Sequence, residues 1–111
     1  MLIKALRMTL YPGQADEYRR RHDALWPELS KALADAGIEE YRIFLDPLSH
    51  HLFAIMVVRD DHQVDQLSEL PVMQRWWAYM ADIMETEHDH SPVSVPLDEV
   101  FKFFPGEQPC K

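Results

Sequence analysis

Residues 38–59 read IEEYRIFLDPLSHHLFAIMVVR. Two runs rich in aliphatic and aromatic residues, IEEYRIFL (38–45) and HLFAIMVVR (51–59), flank the polar turn DPLSHH, and the pattern reads as a β-hairpin with a short loop. The second run is apolar on both faces, with Phe53, Ile55 and Val57 opposite Leu52, Ala54, Met56 and Val58. An antiparallel sheet covered on one side alternates apolar and polar residues, so a strand of this kind needs cover on both sides.

The flanking segments supply one side. Before the hairpin, LIKALRMTL (2–10) alternates, with Leu2, Leu6, Met8 and Leu10 on one face, and reads as a strand. YPG is a turn. A long helix is expected over residues 14–36, closed by Gly37 at the C′ position. After the hairpin, residues 60–70 read as a short helix with acidic residues at its N-terminus, where the helix dipole favours them. Pro71 suits the first turn of another helix, residues 71–84. The polar loop ETEHDHSPVSVP leads to a last strand, residues 97–104. The order is β-α-β-β-α-β with the second α split. This predicts an α+β, ferredoxin-like protomer: a four-stranded antiparallel sheet with helices on one face. Residues 1–104 are expected to form a single domain and residues 105–111 a disordered or loosely packed tail. A second copy packed sheet to sheet would cover the other face, so a homodimer is expected.

Composition narrows the function. A chain of 111 residues suffices for one domain. Its net charge of −8 argues against a nucleic-acid or anionic-membrane partner. The only basic run, Arg19 to Arg21, is flanked by Glu17, Asp23 and Glu28 and reads as a solvated helix face. The single cysteine, Cys110, allows no internal disulfide and suits a reducing compartment. The N-terminus does not read as a signal peptide. The longest apolar run, LFAIMVV, is far short of the ~20 residues that span a bilayer. A soluble, cytoplasmic protein is expected.

At helical spacing, Tyr18, His22, Leu25, Leu29 and Leu33 fall on one stripe, while Arg20, Asp23, Ser30 and Lys31 point elsewhere. Tyr18 and His22 therefore continue a buried face toward one end of the helix. Two explanations stand: a core histidine satisfied by tyrosine and backbone, or a polar pocket at that end. Pro27 lacks an amide hydrogen and should kink or split the helix just after His22. In the later helix, Val72, Trp76, Tyr79, Met80 and Ile83 form a stripe with Trp77 beside it. Paired tryptophans serve either as core or as a platform for the C–H face of a sugar. Tyr41 offers a third polar tip. Among the six histidines, His50/His51 and His88/His90 show no metal-ligand spacing, and no metal site is expected.

Taken together, EYRRRHDALWPEL, YRIFLD, LFAIMV, QRWWAYMADIM, SPVS and DEVF, in this order and spacing, closely resemble the L-rhamnose mutarotase family. The likeness runs from about residue 3 to 104 and excludes the tail. It implies a dimeric α+β barrel of ferredoxin-like protomers that interconverts the α and β anomers of L-rhamnose without a cofactor. It implies His22 as the catalytic proton donor and Tyr18, Tyr41, Trp76 and Trp77 as substrate contacts. The residues suit that chemistry, because mutarotation needs a proton delivered to the ring oxygen and one removed from the anomeric hydroxyl. A histidine near neutrality can do both. Two other readings remain at the level of sequence. One is another enzyme on the same fold, such as a cofactor-independent monooxygenase or a lactone isomerase. The other is a non-catalytic small-ligand-binding or dimerisation module.

Overall fold

The computed structural model describes residues 1–106. Strands β1 (Leu2–Thr9), β2 (Ile38–Leu45), β3 (His51–Val58) and β4 (Val95–Pro96) form one sheet in the order β2-β3-β1-β4, with every pairing antiparallel. Helices α1 (Ala15–Asp23), α2 (Pro27–Asp35) and α3 (Pro71–Met80) and a 3₁₀ segment (Val64–Glu69) complete the described chain. This is the α+β arrangement and ferredoxin-like element order that the sequence pattern predicts.

The hairpin fixes the register. Leu45 faces Leu52, Ile43 faces Ala54 and Tyr41 faces Met56; an irregularity between Ile38 and Glu40 then restores Ile38 opposite Val58. On the other side of β3, Leu6 faces Ala54 and Met8 faces Leu52. Because strand side chains alternate, these residues share one face. That face builds the core with Leu29 of α2 and Val72, Met73, Trp76 and Met80 of α3. Leu10, Leu29, Leu52 and Val58 are fully buried. The opposite face carries Ile3, Phe44 and Ile55, all exposed, with Phe53 and Val57 half-buried.

The helix over residues 14–36 is split just after His22, as Pro27 predicts, and Pro27 is the first residue of α2. Gly37 does follow α2 at positive φ (106°), where an added Cβ would lie 2.8 Å from the His62 Cβ. Three other expectations change. The helix over residues 60–70 shrinks to the 3₁₀ segment, and α3 ends at Met80 rather than residue 84. The strand over residues 97–104 does not form. After the Leu97 amide donates to the Ala5 carbonyl at 3.0 Å, the chain leaves the sheet edge. Val100, Phe101 and Phe103 are strongly exposed, so within one protomer a longer β4 would gain ladder hydrogen bonds but no packing. The radius of gyration, 15.4 Å, exceeds the about 13 Å of a compact chain of this length, as a projecting arm requires. Of the expected tail, Pro105 and Gly106 form a turn and residues 107–111 lie outside the described residues. Among the described residues, no helix is long and apolar enough to cross a membrane.

Candidate active site

The break between α1 and α2 makes the site. Pro27 cannot donate a backbone hydrogen bond, so α1 closes with Ala24 N bonded to the Arg20 carbonyl and Leu25 N to that of His22. The buried stripe nevertheless continues across the elbow. Tyr18, His22, Leu25, Leu29 and Leu33 all line one cleft of about 430 Å³ between the helices and the sheet. Ile43, Leu45 and Leu52 give it an apolar sheet wall, and Met73 and Trp76 close it from α3. Tyr41 enters from β2. A volume of this order suits a small metabolite.

His22 is half-buried, and its Nδ1 lies 2.9 Å from the Tyr18 carbonyl oxygen. A carbonyl can only accept, so Nδ1 carries the proton of the neutral ring and Nε2 is left with a lone pair. The ring stacks on Tyr18 at 4.2 Å and meets Trp76 edge-on at 5.4 Å. Burial holds the imidazole below its ordinary pKa, partly opposed by the Tyr18 carbonyl and the Asp23 charge. At neutral pH the resting ring is therefore uncharged. Burial raises the Tyr18 phenol well above its usual value, and nearby Tyr41 adds to this. Burial raises Tyr41 too, although 40% of that residue meets solvent: the protein surrounds its hydroxyl end. Both phenols are donors at any physiological pH.

The cleft thus brings together His22, Tyr18, Tyr41 and Trp76. Trp77 is half-buried against the core and does not line it. Trp76 is only 6% exposed, wedged between Trp26 at 5.1 Å and Tyr79 at 5.6 Å. Within one protomer the two indoles do not form an open, paired platform.

Three features depart from the one-dimensional pattern. Asp23, which helical spacing turns away, lines the cleft with Arg19, because α1 ends there. Trp26, in the elbow, joins the aromatic cluster, and only the tertiary fold brings it there. Arg21 is not on a solvated face: it is the buried charged residue among those described. Its spacing was the available signal, since it is four residues after Glu17 and lies beside the stripe of Tyr18 and Leu25. Among the described residues, no three His, Cys, Asp or Glu side chains gather as a metal site would require.

The family model for L-rhamnose mutarotase matches residues 4–103. An L-rhamnose mutarotase of Burkholderia cenocepacia (strain HI2424) is 58% identical over 97 residues, covering 87% of this chain and 93% of that one. Among solved structures, an L-rhamnose mutarotase of Formosa agariphila superposes with a TM-score of 0.86 at 43% identity, covering 94% of this chain and all of that one. A putative antibiotic biosynthesis monooxygenase from Chloroflexus aurantiacus J-10-fl gives 0.52 at 16% identity over 95% of this chain and all of that one, a likeness of fold alone.

Proposed function

The chain belongs to the L-rhamnose mutarotase family, and from that premise we infer how its cleft carries out the reaction. The protein is an isomerase that interconverts the anomers of L-rhamnose. The monooxygenase likeness reaches no further than the fold.

His22 is the proton-transfer group, and one observation carries this. Nδ1 is committed to the Tyr18 carbonyl, so a single nitrogen, Nε2, does the chemistry. With the resting imidazole neutral, Nε2 first accepts the proton of the anomeric hydroxyl. The oxygen's electron pair forms the carbonyl as the bond from the anomeric carbon to the ring oxygen breaks. The same imidazolium then delivers its proton to the departing ring oxygen. Both oxygens are borne by one carbon, so one nitrogen reaches both. The open-chain aldehyde rotates about the bond to its neighbouring carbon, and the reverse steps close the ring on the other face. His22 thus becomes the proton donor implied by the family likeness after it has acted as base. The cycle uses no cofactor, and protons and electrons balance within the sugar and one imidazole.

Tyr18 and Tyr41 donate hydrogen bonds to sugar oxygens, as phenols held neutral can. Trp76 and the aliphatic wall receive the methyl group that rhamnose carries where most hexoses have a hydroxymethyl. Trp77 belongs to this set on the family likeness; its half-buried position against the core supports a role in bracing α3. The active form is a homodimer in the cytoplasm, with residues 1–104 as its folded unit. The support for a dimer is the exposed apolar sheet face and arm on the same chain, two patches that identical copies can cover.

The test is saturation transfer between the anomers of L-rhamnose. The slope of exchange rate against protein concentration, at fixed buffer, is followed from about pH 5 to 8. It should rise through a value below 6.5 and then level off, because the neutral ring is the active form. A slope that falls over this window would make His22 an acid from the outset, and a zero slope would remove the activity.

A further inference from the structure

The residue before His22 is the least expected occupant of the interior. Arg21 is 8% exposed, and three of its nitrogens are used. Nε donates to Glu17 at 2.7 Å within α1. One terminal nitrogen donates to the Tyr79 carbonyl at 2.7 Å and to Asp82 at 2.9 Å, and the other reaches the second Asp82 oxygen at 3.3 Å. The guanidinium also lies 4.5 Å from the centre of the Tyr79 ring, which stacks on Trp26 and leans on Trp76.

These contacts join the two helices that meet at the reacting centre. Glu17 and His22 are on α1; Tyr79 is in the last turn of α3, and Asp82 lies just beyond it. The Tyr79 and Asp82 contacts sit at the end of α3, one turn beyond Trp76, whose edge touches the imidazole at 5.4 Å. A planar fork with several donors in fixed geometry sets a separation and an angle, which a single charge on a flexible stem does not. A buried guanidinium is costly to leave unpaired, so each partner lost weakens the joint.

We propose that Arg21 is a positioning residue for the reaction: by clamping α1 to the end of α3 it fixes where the His22 ring stands relative to Trp76 and the cleft. The proposal rests on His22 being the proton-transfer group. Arg21 itself touches no sugar, as it does not line the cleft. Its loss should therefore slow the proton transfers more than it weakens binding. A displacement of about 1 Å at a reacting group costs on the order of 10²-fold in rate.

The experiment is a double-mutant cycle read by saturation transfer at saturating and sub-saturating L-rhamnose. It uses Arg21→Gln, Arg21→Lys, His22→Gln and Arg21→Gln/His22→Gln, each first shown by its melting curve to be folded at the assay temperature. Arg21→Gln should lower kcat about 10- to 100-fold with KM changed less than about threefold. Arg21→Lys keeps the charge and one anchor and should recover part of that loss. Placed on His22→Gln, the second substitution should change the residual slope less than about twofold, because the group it positions is already gone. If Arg21→Gln melts below the assay temperature, Arg21→Lys takes its place in the same cycle with the same outcomes. Parental kcat in a folded Arg21 variant, or an equal loss with and without His22, overturns the clamp. Parental activity in His22→Gln overturns the His22 assignment and the clamp with it, whereas an inactive His22→Gln beside a fully active Arg21 variant overturns the clamp alone.

Discussion

In the proposed mechanism His22 carries a positive charge for part of each cycle, in surroundings that disfavour it, and the cost of burying that ring has a measurable counterpart in stability. Burial holds its folded value below the 6.5 of the unfolded chain. Between those two values the unfolded chain binds a proton that the folded one resists. The contribution of His22 is therefore complete above 6.5 and lost as pH falls through the folded value. The melting temperature of the parent should drop more steeply than that of His22→Gln between about pH 7 and 5. Parallel curves would mean a ring as solvated as in the unfolded chain. Tyr18 and His22 were legible in the sequence because a period of 3.6 marks what faces inward, whatever its polarity. Arg21 was not. A charged residue at the edge of a stripe is ordinarily solvated, and its burial depends on Tyr79 and Asp82, about 60 positions away, which only the folded chain brings near. Asp23 was misplaced for a different reason: it is the last residue of α1, where the helical period no longer decides what faces the cleft.

At the scale of elements, the β2–β3 hairpin was read to within a residue of its ends, since Gly37 bounds it on one side and Asp46-Pro47 marks its turn. Local chemistry fixes such limits. The last strand has no local chemistry to fix it. Residues 97–104 carry strand-like composition, yet among the described residues Phe101 and Phe103 remain largely exposed, and a strand with so little packing does not extend. Helix α3 divides its aromatic pair between two environments. Trp76 is buried among Trp26, Tyr79 and His22, whereas Trp77 lies beside the core, half-buried. Trp76→Ala should cost about 3–5 kcal/mol of stability and Trp77→Ala clearly less, measured by denaturant titration. Equal losses would show that both rings are core; a larger loss at Trp77 would invert the account of α3.

For the molecule as a whole, the exposed apolar surface is the unresolved balance. Ile3, Phe44 and Ile55 on the open sheet face and Val100, Phe101 and Phe103 on the arm form more than scattered surface residues. A second copy would cover both patches in the proposed homodimer, and sedimentation at micromolar concentration should then give about twice the 13.1 kDa chain mass. Ile55→Asp or Phe101→Asp places a charge in that interface and should shift the protein toward monomer. Wild-type protein that sediments as an active monomer would refute the dimer. The two-faced apolar pattern of β3 made this surface visible in sequence; the arm's course was not, because no turn or cap residue within residues 97–104 marks where the chain leaves the sheet edge.

The central claim, that this cleft turns over L-rhamnose anomers through the His22 ring, comes down to one comparison. Anomer exchange of L-rhamnose is measured by saturation transfer at fixed buffer, as a slope against protein concentration, for the parent and for His22→Gln with matched melting curves. Sugars mutarotate spontaneously and buffers assist them, so only the slope belongs to the protein. The account predicts a slope reduced by roughly 10²–10⁴-fold with sugar affinity largely kept. A folded His22→Gln protein with a near-parental slope would contradict it and move the search to Tyr18 and Tyr41.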